Sequence, residues 1–411
     1  MGDGRLEQND DNRDTDLPLA GMRVVDLTRN VAGPYATMIL GELGADVVKI
    51  ERPGAGDDTR GWGPPFWNGE GAIYLALNRN KRAMQLDLKR PEARPVLDCL
   101  VAQSDIVVES FRPTTLEGLG FGFDWAISKN PRILYCSVTS FGRTGPRQEE
   151  RGYDPIMQAF GGIMSVTGEP GRPPVRVGTS IIDMGTGMWA ALAILAAAKR
   201  CDRTGVGEQI TVSLYETALA WMSYHLGGYW ASGVAPTKHG SAMASMAPYG
   251  AFQTTDGCLV VAAPNDGLFL RFCQALELDD AIEDPRFRTN ADRVHNRDAL
   301  QAVLEEATCL HSTAELGAKL DSLGVPNAPP MTVDQVAEDP QARALGIFQT
   351  ASHPTVGTLK SVGLPFEFGG VRPQLRRVPP QAGQHGAEVL GELGFSPEEI
   401  AGILEGNETS S

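Results

Sequence analysis

The 411-residue sequence lacks most of the short signatures that mark an enzyme class. Its six cysteines, at 99, 136, 201, 258, 273 and 309, form no CxxC pair and no zinc spacing with histidine. No metal site is expected, and the thiols read as reduced, mostly buried groups of a cytoplasmic protein. There is no GxxxxGK[ST], which removes a P-loop, and no GxSxG, which removes the hydrolase elbow. The turn at 28–33 lacks GxGxxG, and Gly118-Leu-Gly120-Phe-Gly122 misses the third position, so Glu51 is a poor ribose ligand for a dinucleotide. Histidine is confined to 225, 239, 295, 311, 353 and 385, and none precedes residue 225. A Ser-His-Asp unit cannot be built within the first half. Cations are outnumbered, 36 Lys and Arg against 51 Asp and Glu, for a net charge of −15. That argues against nucleic acid as the main partner but leaves an anionic small molecule open, because local field outweighs net charge. The longest apolar run, 188–198, is shorter than a bilayer requires, so no membrane partner is expected. Residues 1–17 are polar and acidic with no apolar h-region and read as a disordered tail.

What is present is an alternation of strand and helix patterns. Residues 22–27 read as a buried strand, Pro34 opens a helix to about Leu43, and 46–51 is the next strand. Helix 91–103 and strands 105–109, 133–138 and 209–212 continue the pattern. This predicts an α/β fold, a Rossmann-like, doubly wound large domain. A Gly/Ser/Ala/Pro-rich stretch at 227–248 reads as a linker. A hairpin around Thr255-Asp256-Gly257 and helices at about 266–276, 298–309 and 313–323 predict a smaller α+β domain. The expected division is a tail at 1–17, a large domain over 18–234, a small domain over 235–345 and a C-terminal segment over 346–411.

Glycine is abundant at 47 residues, and its most informative setting is Gly178-Thr-Ser-Ile-Ile-Asp183-Met-Gly185-Thr-Gly187. An apolar step delivers a lone carboxylate to a glycine-flanked turn ahead of a long apolar helix. Asp183 has two readings there. It is an N-cap, worth roughly 0.5–2 kcal/mol. Or it is a nucleophile beside small residues that admit a ligand, with backbone N–H groups of Gly185–Gly187 as oxyanion donors. A group of cations, Lys49, Arg52, Arg60, Arg79, Lys81, Arg82 and Lys89, follows predicted strand ends and suits a polyphosphate better than scattered charge would.

Ordered segments across 18–405 resemble the family III coenzyme A transferases, the group of formyl-CoA and carnitine CoA-transferases. They include Pro18-Leu-Ala-Gly-Met-Arg-Val-Val-Asp-Leu27, Leu43-Gly-Ala-Asp-Val-Val-Lys-Ile-Glu-Arg52, Asn78-Arg-Asn-Lys-Arg82, Val108-Glu-Ser-Phe-Arg-Pro113 and Gly152-Tyr-Asp154. The resemblance implies that Asp183 is the nucleophile. It implies that coenzyme A lies over the loop Arg29, Asn30, Val31 and Ala32, with Arg52 at the nucleotide end. Leu86 and Lys89 would line the same site, as would Ser110, Phe111 and Arg112, and Arg151, Tyr153 and Asp154. Two departures stand out: Arg29-Asn30-Val31 replaces a histidine–valine–glutamine stretch, and Gly118 replaces an arginine, so Arg112 or Lys89 would substitute for one phosphate contact. The family's polyglycine lid has no match; His239 and Gly240 in the linker are the acceptor-site candidates, with an ordinary linker as the competing reading. The resemblance also implies an interlocked homodimer, acyl-CoA as substrate rather than a tightly bound cofactor, and a small carboxylic or dicarboxylic acid as co-substrate, with the nearest look to succinyl-CoA enzymes. An α-methylacyl-CoA racemase, a thioesterase and a non-catalytic acyl-CoA-binding protein remain the alternatives; a histidine stands in the racemases where this chain has Tyr153.

Overall fold

The computed structural model describes residues 17–408. Six strands form one parallel sheet: β1 (Arg23–Leu27), β2 (Asp46–Glu51), β3 (Lys81–Gln85), β4 (Ile106–Glu109), β5 (Leu134–Thr139) and β6 (Glu208–Ser213). Their spatial order is β3-β2-β1-β4-β5-β6. The chain moves outward one way from β1, then returns and moves outward the other way from β4. The gap between β1 and β4 is therefore a topological switch point, where ligands of open α/β sheets bind beyond the carboxyl ends of the strands. The inner strands are largely apolar, buried runs such as Ile106-Val-Val, because helices cover both faces, whereas the edge strands β3 and β6 carry polar residues.

Helices of this unit are α1 (Ala32–Glu42), α2 (Ala93–Ala102), α3 (Phe123–Lys129), α4 (Asp154–Phe160), α5 (Ile181–Thr204) and α6 (Leu214–Trp221). Helix α1 begins two residues before Pro34 and buries nearly its whole surface. Helix α5 is longer than its apolar run suggested, 24 residues rather than 188–198, and by length and composition alone could cross a membrane. Half of its apolar window is buried in the fold. Its glycines explain the close packing. A Cβ at Gly187 would stand 2.6 Å from the Ala32 carbonyl oxygen of α1, and one at Gly185 would stand 2.7 Å from the Trp221 ring of α6. Helix α6 ends at Met222, and 223–232 forms a separate helix.

The chain divides into two units. The first comprises residues up to 161, 178–222 and 341 onward; the second comprises 162–177 and 223–340. The sequence reading began the small domain at 235 and left 162–177 with the large one. No local signal marks a sixteen-residue excursion that leaves one core and returns to it before α5. In the second unit, β7 (Tyr249–Gln253), β8 (Cys258–Ala262) and the short β9 (Asn327–Ala328) form an antiparallel sheet. Helices α7 (Asp266–Ala275), α8 (Arg297–Thr308) and α9 (Thr313–Ser322) pack around Phe252, Phe272 and Leu304. In the first unit, β10 (Phe348–His353) and β11 (Gly357–Val362) form a hairpin. They precede α10 (Gly386–Glu392) and α11 (Pro397–Glu408). Val389, Leu390 and Ile403 join Val25, Val48 and Val107 in one core, and Arg82 ties β3 to Glu388 and Glu392. Three of the six cysteines are buried, two half-buried, and Cys309 is exposed.

Candidate active site

The loop after β1 is held from below. Thr28 donates from its N–H and its hydroxyl to Asp26, at 2.9 and 2.5 Å. The Thr37 hydroxyl donates to the other oxygen of Asp26 at 2.7 Å, and Lys81 pairs with it at 3.0 Å. Burial alone would raise the Asp26 carboxyl; Lys81, Lys49 and the two hydroxyls outweigh it and hold it far below its ordinary range. The Lys49 ammonium donates to the Thr28 carbonyl at 2.9 Å and pairs with Asp57 at 2.9 Å, both side chains fully buried. The Arg29 N–H donates to the Ser110 hydroxyl at 3.0 Å, joining the loops after β1 and β4. Asn30 sits at φ +70°, a left-handed position that asparagine tolerates, and this turns the chain into α1.

These loops bound a cleft of about 330 Å³ beyond the carboxyl ends of β1, β4 and β5. Of the expected residues, Arg29, Asn30, Val31, Ala32, Ser110, Phe111, Arg112, Arg151, Tyr153 and Asp183 line it. Three arginines, Arg29, Arg112 and Arg151, and two acids, Glu150 and Asp183, are among the lining residues, and Glu150 pairs with Arg147. The Arg29 guanidinium also lies 5.4 Å over the Phe111 ring. The sequence reading missed Glu150, Thr139 and Ser140. Thr139 ends β5 and Ser140 follows it, and their place at a strand's carboxyl end was the available signal.

Other expected residues lie elsewhere. Leu86 is buried in the sheet's core, not in the cleft. Lys89 is exposed on the turn after β3. Arg52 does not line the cleft: it follows the last residue of β2 and pairs with Asp58 at 2.5 Å, and Arg29 approaches the same carboxylate at 4.0 Å. Most of the cation group is engaged internally, Lys49 and Lys81 as above, Arg60 with Glu51, Arg79 with Glu42 and Arg82 with Asp46. A polyphosphate surface built from these five is therefore excluded; charges so close to parallel strands need partners of their own. His239 and Gly240 lie in the second unit, where Gly240 donates to the Gly168 carbonyl and Lys238 to that of Arg172.

Asp183 itself departs from the cap reading. Helix α5 begins at Ile181 behind Ser180, so Asp183 is its third residue and Gly185–Gly187 are helical, not a turn. Their N–H groups belong to the helix ladder and are not free as oxyanion donors. The cap comes from Asp154, whose carboxylate accepts from the N–H groups of Ile182 and Asp183 at 2.8 and 3.2 Å. Asp154 therefore sits behind the cleft rather than lining it. A cap supplied from 28 residues upstream leaves no local trace, which is why the helix starts earlier than the pattern suggested. The Asp183 carboxyl has no hydrogen-bond donor or ion pair among the described residues. Burial, and then the charge of Asp154, push it up from 3.8 to about 7.

A half-buried, unpaired carboxyl group on the wall of a cleft at a switch point is a nucleophile candidate. The family model for CoA-transferase family III matches residues 19–386. The chain belongs to CoA-transferase family III. It is 37% identical over 398 residues to the human succinyl-CoA:glutarate CoA-transferase, covering 95% of this chain and 91% of that protein. The succinate–glutarate CoA-transferase of Agrobacterium fabrum is 35% identical, covering 92% and 96%. A crystal structure of a CaiB/BaiF family protein from Brucella suis superposes with a TM-score of 0.82 at 38% identity, covering 92% of this chain and 99% of that one. This CoA-transferase thus shares the mixed α/β architecture and parallel central sheet of its solved relative.

Proposed function

We propose that the protein moves coenzyme A from succinyl-CoA to a small dicarboxylic acid through covalent intermediates on Asp183. The observation that carries this reading is the unpaired, raised carboxyl of Asp183 on the wall of a cation-lined cleft at the switch point. Ionised Asp183 attacks the donor thioester carbonyl. The C–S bond breaks, coenzyme A leaves as thiolate, and a mixed anhydride forms on Asp183. The thiolate attacks the Asp183 carbonyl carbon, giving an aspartyl thioester and releasing the donor acid. The acceptor carboxylate attacks that thioester and displaces the thiolate, forming a second anhydride. The thiolate then takes the acceptor acyl group and restores the Asp183 carboxylate. A carboxylate suits this exchange because its anhydride keeps the activation of a thioester, where a serine ester would lose it.

Arg29, Arg112 and Arg151 are the proposed partners of coenzyme A phosphates and of the acceptor's second carboxylate, through charge-assisted hydrogen bonds. Arg52 would extend this strip toward the nucleotide end. Tyr153, 53% exposed at the start of α4, is placed to meet the reacting acyl group. His239 and Gly240 remain proposed acceptor-side residues of the second unit. A homodimer, a cytoplasmic location and the absence of a resident cofactor belong to this same reading. The substrate choice follows the named activities of the relatives, succinyl-CoA with glutarate. The test incubates the protein with succinyl-CoA and a panel of carboxylic acids and resolves every acyl-CoA by mass spectrometry. A new acyl-CoA should appear only with a dicarboxylate and fall at least about 10³-fold in Asp183→Ala. Hydrolysis without any acceptor-dependent product would overturn the reading.

A further inference from the structure

We propose that Asp154 is a positioning residue of the transfer reaction: its buried carboxylate ties the first turn of α5, fixes Asp183 at the cleft, and occupies the helix N–H groups that would otherwise stabilise the Asp183 carboxylate. This rests on the reading of Asp183 as the nucleophile. Asp154 is 3% exposed. One oxygen accepts from the Ile182 and Asp183 N–H groups, and the other accepts from the Gln158 amide at 2.5 Å. Three N–H donors hold the carboxylate rigidly, and α4 carries both it and Gln158. A helix start ordinarily lowers the pKa of a nearby carboxylate. Here the positive end of α5 is matched by Asp154 instead, and Asp183 meets a fixed like charge.

The consequence is directional. Ionised Asp183 is repelled by Asp154, whereas the anhydride and the aspartyl thioester are neutral at that position. Each acylation relieves the repulsion, so Asp154 raises the resting carboxylate relative to the covalent intermediates. The other charged residues that line the cleft are Arg29 after β1, Arg112 after β4, and Glu150 and Arg151 before α4. Helix α1 presents no charged residue in its first turn. Among the described residues none of these forms a hydrogen bond or ion pair with the Asp183 carboxyl, whereas Asp154 accepts from the Asp183 backbone N–H.

The experiment follows the Asp183 carboxyl directly, by carbon NMR titration of full-length protein labelled at aspartate Cγ and assigned with Asp183→Asn. No substrate is needed, so a failure of the transferase reading and a failure of this one are separable. In wild type the midpoint should lie at about 7. In Asp154→Asn, which keeps shape but not charge, it should fall by about one pH unit. The rising limb of the pH–kcat profile should move with it, kcat should fall about tenfold, and KM should change less than twofold. Asp154→Glu keeps the charge but displaces the carboxylate: its midpoint should stay raised while kcat falls. A cap with a merely structural role would lower stability and leave the midpoint in place. An unmoved midpoint in Asp154→Asn, or a lowered one in Asp154→Glu, overturns the proposal.

Discussion

Replacing Asp183 with asparagine should make the protein more stable, and only at higher pH. In the unfolded chain the carboxyl titrates near 3.8, whereas in the fold it titrates at about 7. Below the lower value both states are neutral and the residue has no electrostatic effect. As pH rises the unfolded state loses its proton first, so stability falls until about 7, and the full penalty persists above it. At about 1.4 kcal/mol per pH unit the ceiling is about 4 kcal/mol. The cleft is open to solvent, and screening reduces this to on the order of 1–2 kcal/mol. Thermal melts of wild type and Asp183→Asn at pH 5 and pH 8 should diverge in favour of the variant as pH rises, by about 1–2 °C at pH 8. A cap would behave oppositely, since losing a carboxylate that serves a helix start destabilises it. Asp183→Asn less stable than wild type at pH 8 would refute the assignment of the carboxylate as unpaired and strained.

Gly187→Ala should place a methyl against the Ala32 carbonyl oxygen, where neither helix backbone can yield cheaply. A loss of about 1–3 kcal/mol in denaturant melts, with lower transfer activity as α5 shifts off α1, is expected; unchanged stability would contradict the close approach. Lys49→Met should leave Asp57 buried without its cation and release the Thr28 carbonyl. A loss of about 3–5 kcal/mol and a higher KM for the acyl-CoA are expected, and a loss under about 1 kcal/mol would show that the pair does not hold the loop.

Much of the fold was legible because the inner parallel strands, buried on both faces, read as apolar runs, and because α7 and α9 carry their own N-caps, Asn265 and Ser312. The cleft was legible in part through the resemblance to a known family, which pointed to the loop at Arg29–Ala32 and to Ser110, Phe111 and Arg112, all of which line it. Three things were not. The start of α5 depends on Asp154, a cap distant in sequence, so Asp183 looked like the cap it is not. Glycines 185 and 187 looked like a ligand-admitting turn, but they are sites of helix contact, and only a three-dimensional neighbour distinguishes these roles. Clustered cations looked like a phosphate surface, yet Lys49 and Arg60 answer Asp57 and Glu51 where β2 runs into its following loop, and Lys81 of β3 answers Asp26 of β1. Charge pairing across strands is invisible along the chain.

The covalent route through Asp183 can be read from oxygen atoms. An acceptor acid labelled with 18O in its carboxylate should leave one labelled oxygen on Asp183, because the acceptor's attacking oxygen remains there when the second anhydride is broken by the thiolate. After one turnover with succinyl-CoA and 18O-glutarate, mass spectrometry of the peptide carrying Asp183 should show one 18O atom. Released succinate should carry the label from the second turnover onward. An unlabelled Asp183 peptide alongside newly formed glutaryl-CoA would contradict the account, because transfer would then proceed without the aspartyl anhydride.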